Sequence, residues 1–158
     1  MFKNKKTIIV TVIILVIVST GFFIIRHKAQ AKTRHYAISS WEGDHTLLAR
    51  LVAGEAEGEP HAGQVGVAAV ILNRSKNAKF PPTIADVVYQ PGAFESVSNG
   101  LIWSRYPSRS NFDAARQAMD GWDPTYGCIF FWNPYKPVSS WIWSRSIVTQ
   151  IGQHVFAK

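Results

Sequence analysis

The pattern of hydrophobic and polar positions divides the chain into segments of different character. A basic start at residues 1–6 is followed at residues 7–25 by an uncharged apolar run, TIIVTVIILVIVSTGFFII. A helix of that length spans roughly 28 Å, close to the thickness of the hydrocarbon core of a bilayer. The run therefore predicts a membrane helix. Residues 26–43 are polar and aperiodic, which predicts a linker, and a folded domain is predicted over residues 44–158.

Helical spacing dominates the first half of the predicted domain. Asp44 suits the N-cap of a helix whose apolar positions recur at intervals of three and four residues up to Val52, and Gly54 and Gly58 mark its end. Pro60 favours the start of a second helix, which continues through GQVGVAAVILNR. Because this second helix is apolar on nearly every side, we predict that it is the central buried one.

The second half of the domain mixes short helices with candidate strands. A short helical turn is predicted at residues 83–89, and Ser110 with Asp113 resembles a capping box that opens a further helix. The aromatic segments CIFFW and SWIWS predict two short strands, and a last helix is predicted over residues 147–156. The predicted fold is mainly α with a small β element (α+β), preceded by one N-terminal membrane helix.

The positive charge of the chain belongs to its N-terminus. The formal net charge is +7, yet residues 1–35 contain seven Lys and Arg and no acid, which leaves ten of each sign in the remainder. A balanced domain lacks the electrostatic footprint of phosphate-backbone binding, so no nucleic-acid partner is predicted. The single cysteine, Cys128, excludes an intramolecular disulfide. No Cys/His spacing typical of zinc occurs, and we expect neither a metal nor an organic cofactor.

The N-terminal segment also bears on location. Its apolar run is longer than that of most secretory signals, which favours an uncleaved signal-anchor, but the A-x-A sequence at residues 29–31 matches a signal-peptidase site. Both alternatives stay open, and the basic residues on both sides of the run leave its orientation undecided. We expect an extracytoplasmic protein, membrane-anchored or secreted, with the membrane as a partner through residues 7–25 and with a monomeric chain.

The glutamates of the sequence GEAEGEP are the candidate catalytic groups. Glu55 follows Leu51 by four positions and therefore lies over the buried face if the first helix reaches it, whereas Glu57 points about 200° away. Apolar surroundings favour a neutral carboxyl group and so raise the pKa of such a glutamate. A neutral carboxyl group can protonate the leaving oxygen of a glycosidic bond. The alternative is a solvated or helix-capping acidic cluster.

One acid is sufficient if the substrate supplies the nucleophile. In bacterial cell-wall glycan, the 6-hydroxyl of the muramic sugar can attack its own anomeric carbon. The aromatic residues give a second indication, because six Trp and five Tyr all follow residue 35 and aromatic faces stack on sugar rings. Asn133 beside Trp132 supplies an amide for sugar hydroxyls. For any one of these aromatic residues, the alternative is a place in the core.

Several motifs in order resemble one known family. LLARLVAGEAEGEPHAGQVGVAAVILNRSKNAKFPPTIADVVYQPGAFESV, GWDPTYG, FFWNP, SSWIWSR and IGQHVF are similar to the catalytic domain of the spore cortex-lytic enzymes, the SleB/CwlJ-type cell wall hydrolases. The resemblance covers about residues 44–158. It implies a compact lysozyme-like fold and a lytic transglycosylase reaction on peptidoglycan, with spore cortex as the substrate during germination. It also implies that Glu55, the first glutamate of GEAxGE, is the catalytic acid.

We therefore predict a peptidoglycan-degrading glycosidase that cleaves the bond between muramic acid and N-acetylglucosamine, with Glu55 as acid and then as base. Residue type and motif position predict a glycan groove formed by Glu59, Tyr89, Gln90, Phe94, Trp132, Asn133 and Trp141. The alternative is a non-catalytic, membrane-anchored peptidoglycan-binding module, which needs the groove but not the acid. A membrane scaffold on the cytoplasmic face would leave the glutamate motif unexplained.

Overall fold

The computed structural model describes the backbone of residues 4–158 and the side chains in that range except those of residues 5–14 and 35–39. The chain divides into two compact units, Met1–Trp41 and Glu42–Lys158. The second unit begins two residues before the predicted start of the domain. Helix α1 comprises Lys5–Glu55 and includes the residues that the sequence pattern predicts as a linker.

The predicted membrane helix requires a correction. Among the side chains that the structure describes, no helix is both long enough and apolar enough to cross a membrane. The side chains of residues 7–14, in the first part of the predicted segment, are not among those described. The described apolar residues 15–25 continue in α1 into a basic stretch. The prediction of an N-terminal membrane helix is therefore wrong on this finding, and the signal-anchor and the membrane partner predicted with it are not supported.

The second unit contains the remaining elements of the described chain. In chain order these are α2 (His61–Ser75), α3 (Ile84–Val88), α4 (Glu95–Ser98), α5 (Leu101–Ser104), α6 (Arg109–Met119), β1 (Phe130–Trp132), a 3-10 helix (Ser140–Ser144), β2 (Ile147–Ile151) and β3 (His154–Ala157). The strands form an antiparallel sheet in the order β1-β3-β2, with Phe131 opposite Phe156 and Ile151 opposite His154.

Helix α2 lies at the centre of the core, as predicted. Every residue from position 63 to position 71 is buried. Leu48 and Leu51 of α1 and Phe156 of β3 belong to the same buried cluster. The ring of Phe156 packs directly against the backbone of α2, because a Cβ atom built on Gly66 would lie 2.8 Å from its Cζ atom. The core therefore joins α1, α2 and the sheet, and at Gly66 only a glycine fits between α2 and Phe156.

The short helices are predicted in part. Helix α3 forms at the predicted place, and the Thr83 hydroxyl caps it by accepting a hydrogen bond from the Asp86 amide at 3.1 Å. Helix α6 also forms, but its capping box joins Ser108 with Asn111, two residues before the predicted pair. Helices α4 and α5 are additional to the prediction, since they lie within a stretch rich in loop-forming residues.

The C-terminal segments are predicted with mixed success. CIFFW contains strand β1, as expected, but SWIWS forms the 3-10 helix, in which the Ser144 hydroxyl donates to the Trp141 carbonyl at 2.7 Å. Such local bonds compete with strand pairing. The helix predicted over residues 147–156 is wrong, because these residues form β2, a turn and β3. Gly152, at φ +60°, makes the turn, and β-branched residues on both sides of it favour strands.

The close approach at Gly66 predicts a large effect of one added methyl group. We expect Gly66→Ala to lower the free energy of unfolding by about 1–3 kcal/mol, because neither Phe156 nor Thr125 has solvent-exposed space into which it can move. Gly43→Ala is the matched control, since nothing lies within 4 Å of its Cβ position in α1, and it should raise the stability by about 0.5–1 kcal/mol. Urea unfolding followed by circular dichroism tests both, and equal stabilities of the two variants would contradict the packing argument.

Candidate active site

A cleft of about 510 Å³ lies beside the end of α1. Residues of α1, α2, α4, α5 and β1 contribute to its lining, together with the segment that follows β1. The lining contains aromatic rings, three carboxyl groups and several cationic groups. The cleft thus combines apolar surface with groups that can move protons, which is the composition expected of a substrate site.

Glu55 is the last residue of α1, and its half-buried side chain lines the cleft. The backbone amide of Ser96 donates a hydrogen bond to its Oε1 atom at 2.8 Å. Within the part of the chain that the structure describes, Oε2 has no hydrogen-bond partner. One oxygen of the carboxyl group is therefore held in place, while the other is available to hold or transfer a proton.

Gly54 explains how Ser96 reaches Glu55. A Cβ atom built on Gly54 would lie 2.5 Å from the Cβ atom and 2.7 Å from the Oγ atom of Ser96. Helix α4 can therefore pack against α1 at this position only because the side chain is missing. Gly54 therefore leaves room for α4, and Glu55 accepts a hydrogen bond from an α4 backbone amide.

Two further carboxyl groups belong to the cleft lining. Glu57 forms an ion pair with Arg105 at 2.5 Å, and Arg105 also donates from Nη1 to the Ala53 carbonyl at 3.0 Å. Glu95, at the start of α4, is exposed and has no ion-pair partner among the described residues. The sequence pattern places Glu57 away from Glu55 and gives no indication for Glu95. The structure brings all three to one cleft.

Three of the predicted groove residues line the cleft with Glu55, namely Phe94, Trp132 and Asn133. Trp132 is largely buried and packs edge-on against Trp143, with 5.6 Å between the ring centroids. The Asn133 amide nitrogen donates to Gln153 Oε1 at 3.0 Å, and its Oδ1 accepts from the Tyr135 amide at 2.9 Å. Asn133 therefore holds the loop that follows β1 in place.

The other four predicted groove residues lie outside the lining of the cleft. The side chain of Glu59 is buried, and its Oε2 atom accepts a hydrogen bond from the Gln153 amide at 2.9 Å, which holds the turn between β2 and β3. Tyr89 is exposed and stacks on Trp103. Trp141 packs edge-on against Phe130, and the side chain of Gln90 is exposed. These positions give Glu59 a structural contact and leave the three others on the surface.

His154 and Arg74 line the cleft without having been predicted. The Nδ1 atom of His154 lies 3.8 Å from Glu59 Oε1. Burial lowers the pKa of His154 below its ordinary value, the nearby Glu59 carboxylate opposes this effect, and Lys136 adds to it. The imidazole is therefore neutral at pH 7. No spacing rule links this histidine to Glu55, although it belongs to IGQHVF, one of the motifs that carry the family resemblance.

Arg74 lies near the end of α2, where its side chain is buried under three phenylalanine rings. Its Nε atom donates to the Ile129 carbonyl at 2.7 Å. Burial lowers the pKa of Arg74 to about 10, so the guanidinium stays charged at neutral pH. A sequence signal existed, because this arginine lies one residue before the end of a helix that is apolar on nearly every side. Across the described side chains, no group of His, Cys, Asp or Glu is arranged to hold a metal ion.

Known proteins are similar to the chain in both sequence and fold. The family model described as Cell Wall Hydrolase matches residues 58–157. The spore cortex-lytic enzyme of Oceanobacillus iheyensis is 45% identical over 117 residues, which are 74% of this chain and 42% of that protein. The chain thus spans less than half the length of this curated relative.

Two solved structures resemble the chain. The catalytic domain of the Bacillus cereus SleB protein is 44% identical with a TM-score of 0.69, over 74% of this chain and 91% of that one. The catalytic domain of the germination-specific lytic transglycosylase SleB from Bacillus anthracis is 43% identical with a TM-score of 0.69, over 73% and 93%. These similarities confirm the mainly helical domain with a small sheet, and the predicted family is confirmed as well: the chain belongs to the cell wall hydrolase family.

Proposed function

We propose that the chain cleaves the glycan strand of peptidoglycan between muramic acid and N-acetylglucosamine as a lytic transglycosylase. The position of Glu55 carries this proposal. Its carboxyl group lies in the cleft, with Oε1 held by the Ser96 amide and Oε2 without a partner among the described residues. The similar catalytic domain from Bacillus anthracis is that of a germination-specific lytic transglycosylase, which supports the same reaction here.

The reaction needs one group that gives and then takes a proton. Protonated Oε2 of Glu55 donates its proton to the glycosidic oxygen while the bond from that oxygen to C1 of the muramic sugar breaks, and N-acetylglucosamine leaves as an alcohol. The 6-hydroxyl oxygen of the same muramic sugar bonds to C1, and the Glu55 carboxylate takes the hydroxyl proton. The acid is regenerated, no water is consumed, and the product is a 1,6-anhydro sugar.

The surroundings of Glu55 suit this cycle. Phe131, which is half-buried, gives the cleft an apolar surface on which a sugar ring can stack, whereas Phe94 and Trp132 line the same cleft but are largely buried. The Ser96 amide fixes the carboxyl group, so little reorientation is needed between its two roles. This arrangement also argues against a purely glycan-binding module, because binding alone does not require a positioned carboxyl group.

We propose spore cortex as the substrate, because the curated relatives are named spore cortex-lytic enzymes. A secreted, monomeric protein in the cell envelope or the spore agrees with this role.

The first residue-level test concerns the acid. We expect Glu55→Gln to lower the rate of glycan cleavage by about 10²–10⁴-fold, the usual contribution of a general acid.

The measurement uses the full chain with purified cortex or sacculi and mass analysis of the released muropeptides. Glu42→Gln, a glutamate at the start of the second unit that does not line the cleft, is the matched control and should keep normal activity. Full activity of Glu55→Gln would exclude Glu55 as the acid. Binding of the wild-type chain to peptidoglycan without any cleavage product would favour the binding module instead.

Glu95 supplies the main competing mechanism, because an exposed carboxylate in the same cleft can activate a water molecule. A transglycosylase leaves anhydro ends and does not need Glu95, so we expect Glu95→Gln to keep its activity within about threefold, well below the effect of losing a general base. A hydrolase leaves reducing ends. Reducing ends together with a loss in Glu95→Gln as large as that in Glu55→Gln would establish hydrolysis and overturn transglycosylation.

A further inference from the structure

Arg74 is a buried cation of the cleft that the proposed reaction does not use. Only 8% of its surface is exposed, and among the described residues no carboxylate pairs with it. Leaving a buried charge unpaired is costly, so its surroundings require an explanation. The other cleft arginine, Arg105, is paired with Glu57.

The contacts of Arg74 stabilise its charge but leave hydrogen bonds unmade. The centre of its guanidinium lies 5.1 Å from the ring centroid of Phe80, 5.2 Å from that of Phe94 and 5.7 Å from that of Phe130. Ring faces attract the cation but do not accept hydrogen bonds in its plane. Nε donates to Ile129, while the terminal nitrogens have no acceptor among the described residues. A guanidinium with free terminal donors fits a carboxylate in a bidentate manner.

Arg74 and Glu55 contact the same short segment of the cleft lining. The ring of Phe94 packs against the Arg74 guanidinium, and two residues later the Ser96 amide donates to Glu55. Phe94 caps α4, whose first residues are Glu95 and Ser96. A substrate group bound by Arg74 therefore belongs to the part of the glycan that lies near the acid.

We propose that Arg74 is a specificity-determining residue of this cleft that binds a carboxylate carried by the glycan strand close to the bond that is cleaved. This inference rests on the proposed function. Peptidoglycan offers that chemistry from two sources, the lactyl arm of muramic acid and the peptide attached to it. Arg74 selects strands that carry such a carboxylate over strands in which it is neutralised.

Arg145 provides a matched control for a purely structural role. Its guanidinium also lies over an aromatic pair, at 5.2 Å from Phe130 and 5.3 Å from Trp141. Unlike Arg74, it does not line the cleft. Both arginines thus contact the same Phe130 ring, but only Arg74 can reach a ligand in the cleft.

The test compares kcat/KM of the full chain on three glycan preparations: strands with peptides, strands whose peptides are removed to expose the lactyl carboxylate, and stripped strands with that carboxylate converted to an amide. We expect the wild-type chain to prefer a carboxylate-bearing strand by about 10- to 100-fold, the range for a hydrogen bond to a charged group. Arg74→Met should abolish this preference, while Arg145→Met should keep it. The better of the first two strands identifies the source of the carboxylate.

An equal loss on all three preparations in Arg74→Met, with the wild-type chain showing no preference, would reduce Arg74 to a structural role. A binding measurement that needs no variant gives an independent decision. We expect the wild-type chain to bind N-acetylmuramic acid more tightly than its methyl ester, as followed by NMR titration. Equal binding of the two sugars would overturn the proposal for the lactyl source, and the peptide-bearing strands then decide the other.

These experiments separate the inference from the function on which it rests. Cleavage of all strands without preference refutes the role of Arg74 and leaves the proposed function intact. Absence of cleavage from every strand refutes the proposed function, whereas the sugar titration still reports whether the cleft binds a carboxylate.

Discussion

The hydrogen bond from the Ser96 amide to Glu55 Oε1 is the contact on which the cleft depends. It joins positions 41 residues apart and links the end of α1 to α4. Helix α4 has only four residues and little surface of its own to bury, so its position depends on what it packs against. The bare backbone at Gly54 lets it approach α1 closely enough for the amide to reach the carboxyl group. The close approach at Gly54 therefore determines both the position of α4 and the position of the Glu55 carboxyl group.

The end of α1 is held by a second contact as well. The last carbonyl groups of a helix have no partners within it, and a cation near them is favourable. Arg105, just after α5, donates to the Ala53 carbonyl and pairs with Glu57. Arg105 thus gives a hydrogen bond to a helix carbonyl group and also pairs its positive charge with the Glu57 carboxylate. Glu55, in contrast, is held by the neutral Ser96 amide and not by a cation.

How far the sequence predicts the site depends on how local each signal is. Helical spacing places Glu55 correctly, because α1 reaches that residue. The same spacing turns Glu57 toward solvent, and its side chain is exposed, but the spacing does not predict its place in the cleft lining, because the helix ends at Glu55 and Gly58 then turns the chain at φ +84°. The hairpin that contains His154 is predicted as a helix, so its approach to Glu59 is invisible in the sequence. Exposed aromatic residues such as Tyr89 have the side-chain type expected in a sugar site, but the ring of Tyr89 stacks on that of Trp103.

The ionisable groups of the cleft have different roles, although the chain after residue 35 carries equal numbers of acids and cations. Arg74 keeps its proton, since its lowered pKa of about 10 still lies far above neutral pH. His154 stays neutral, because burial lowers its pKa below the ordinary value. Neither group changes its charge near pH 7. The proton exchange of the reaction then rests on the carboxyl groups, beside a cation whose charge is constant and which therefore acts on binding rather than on proton transfer.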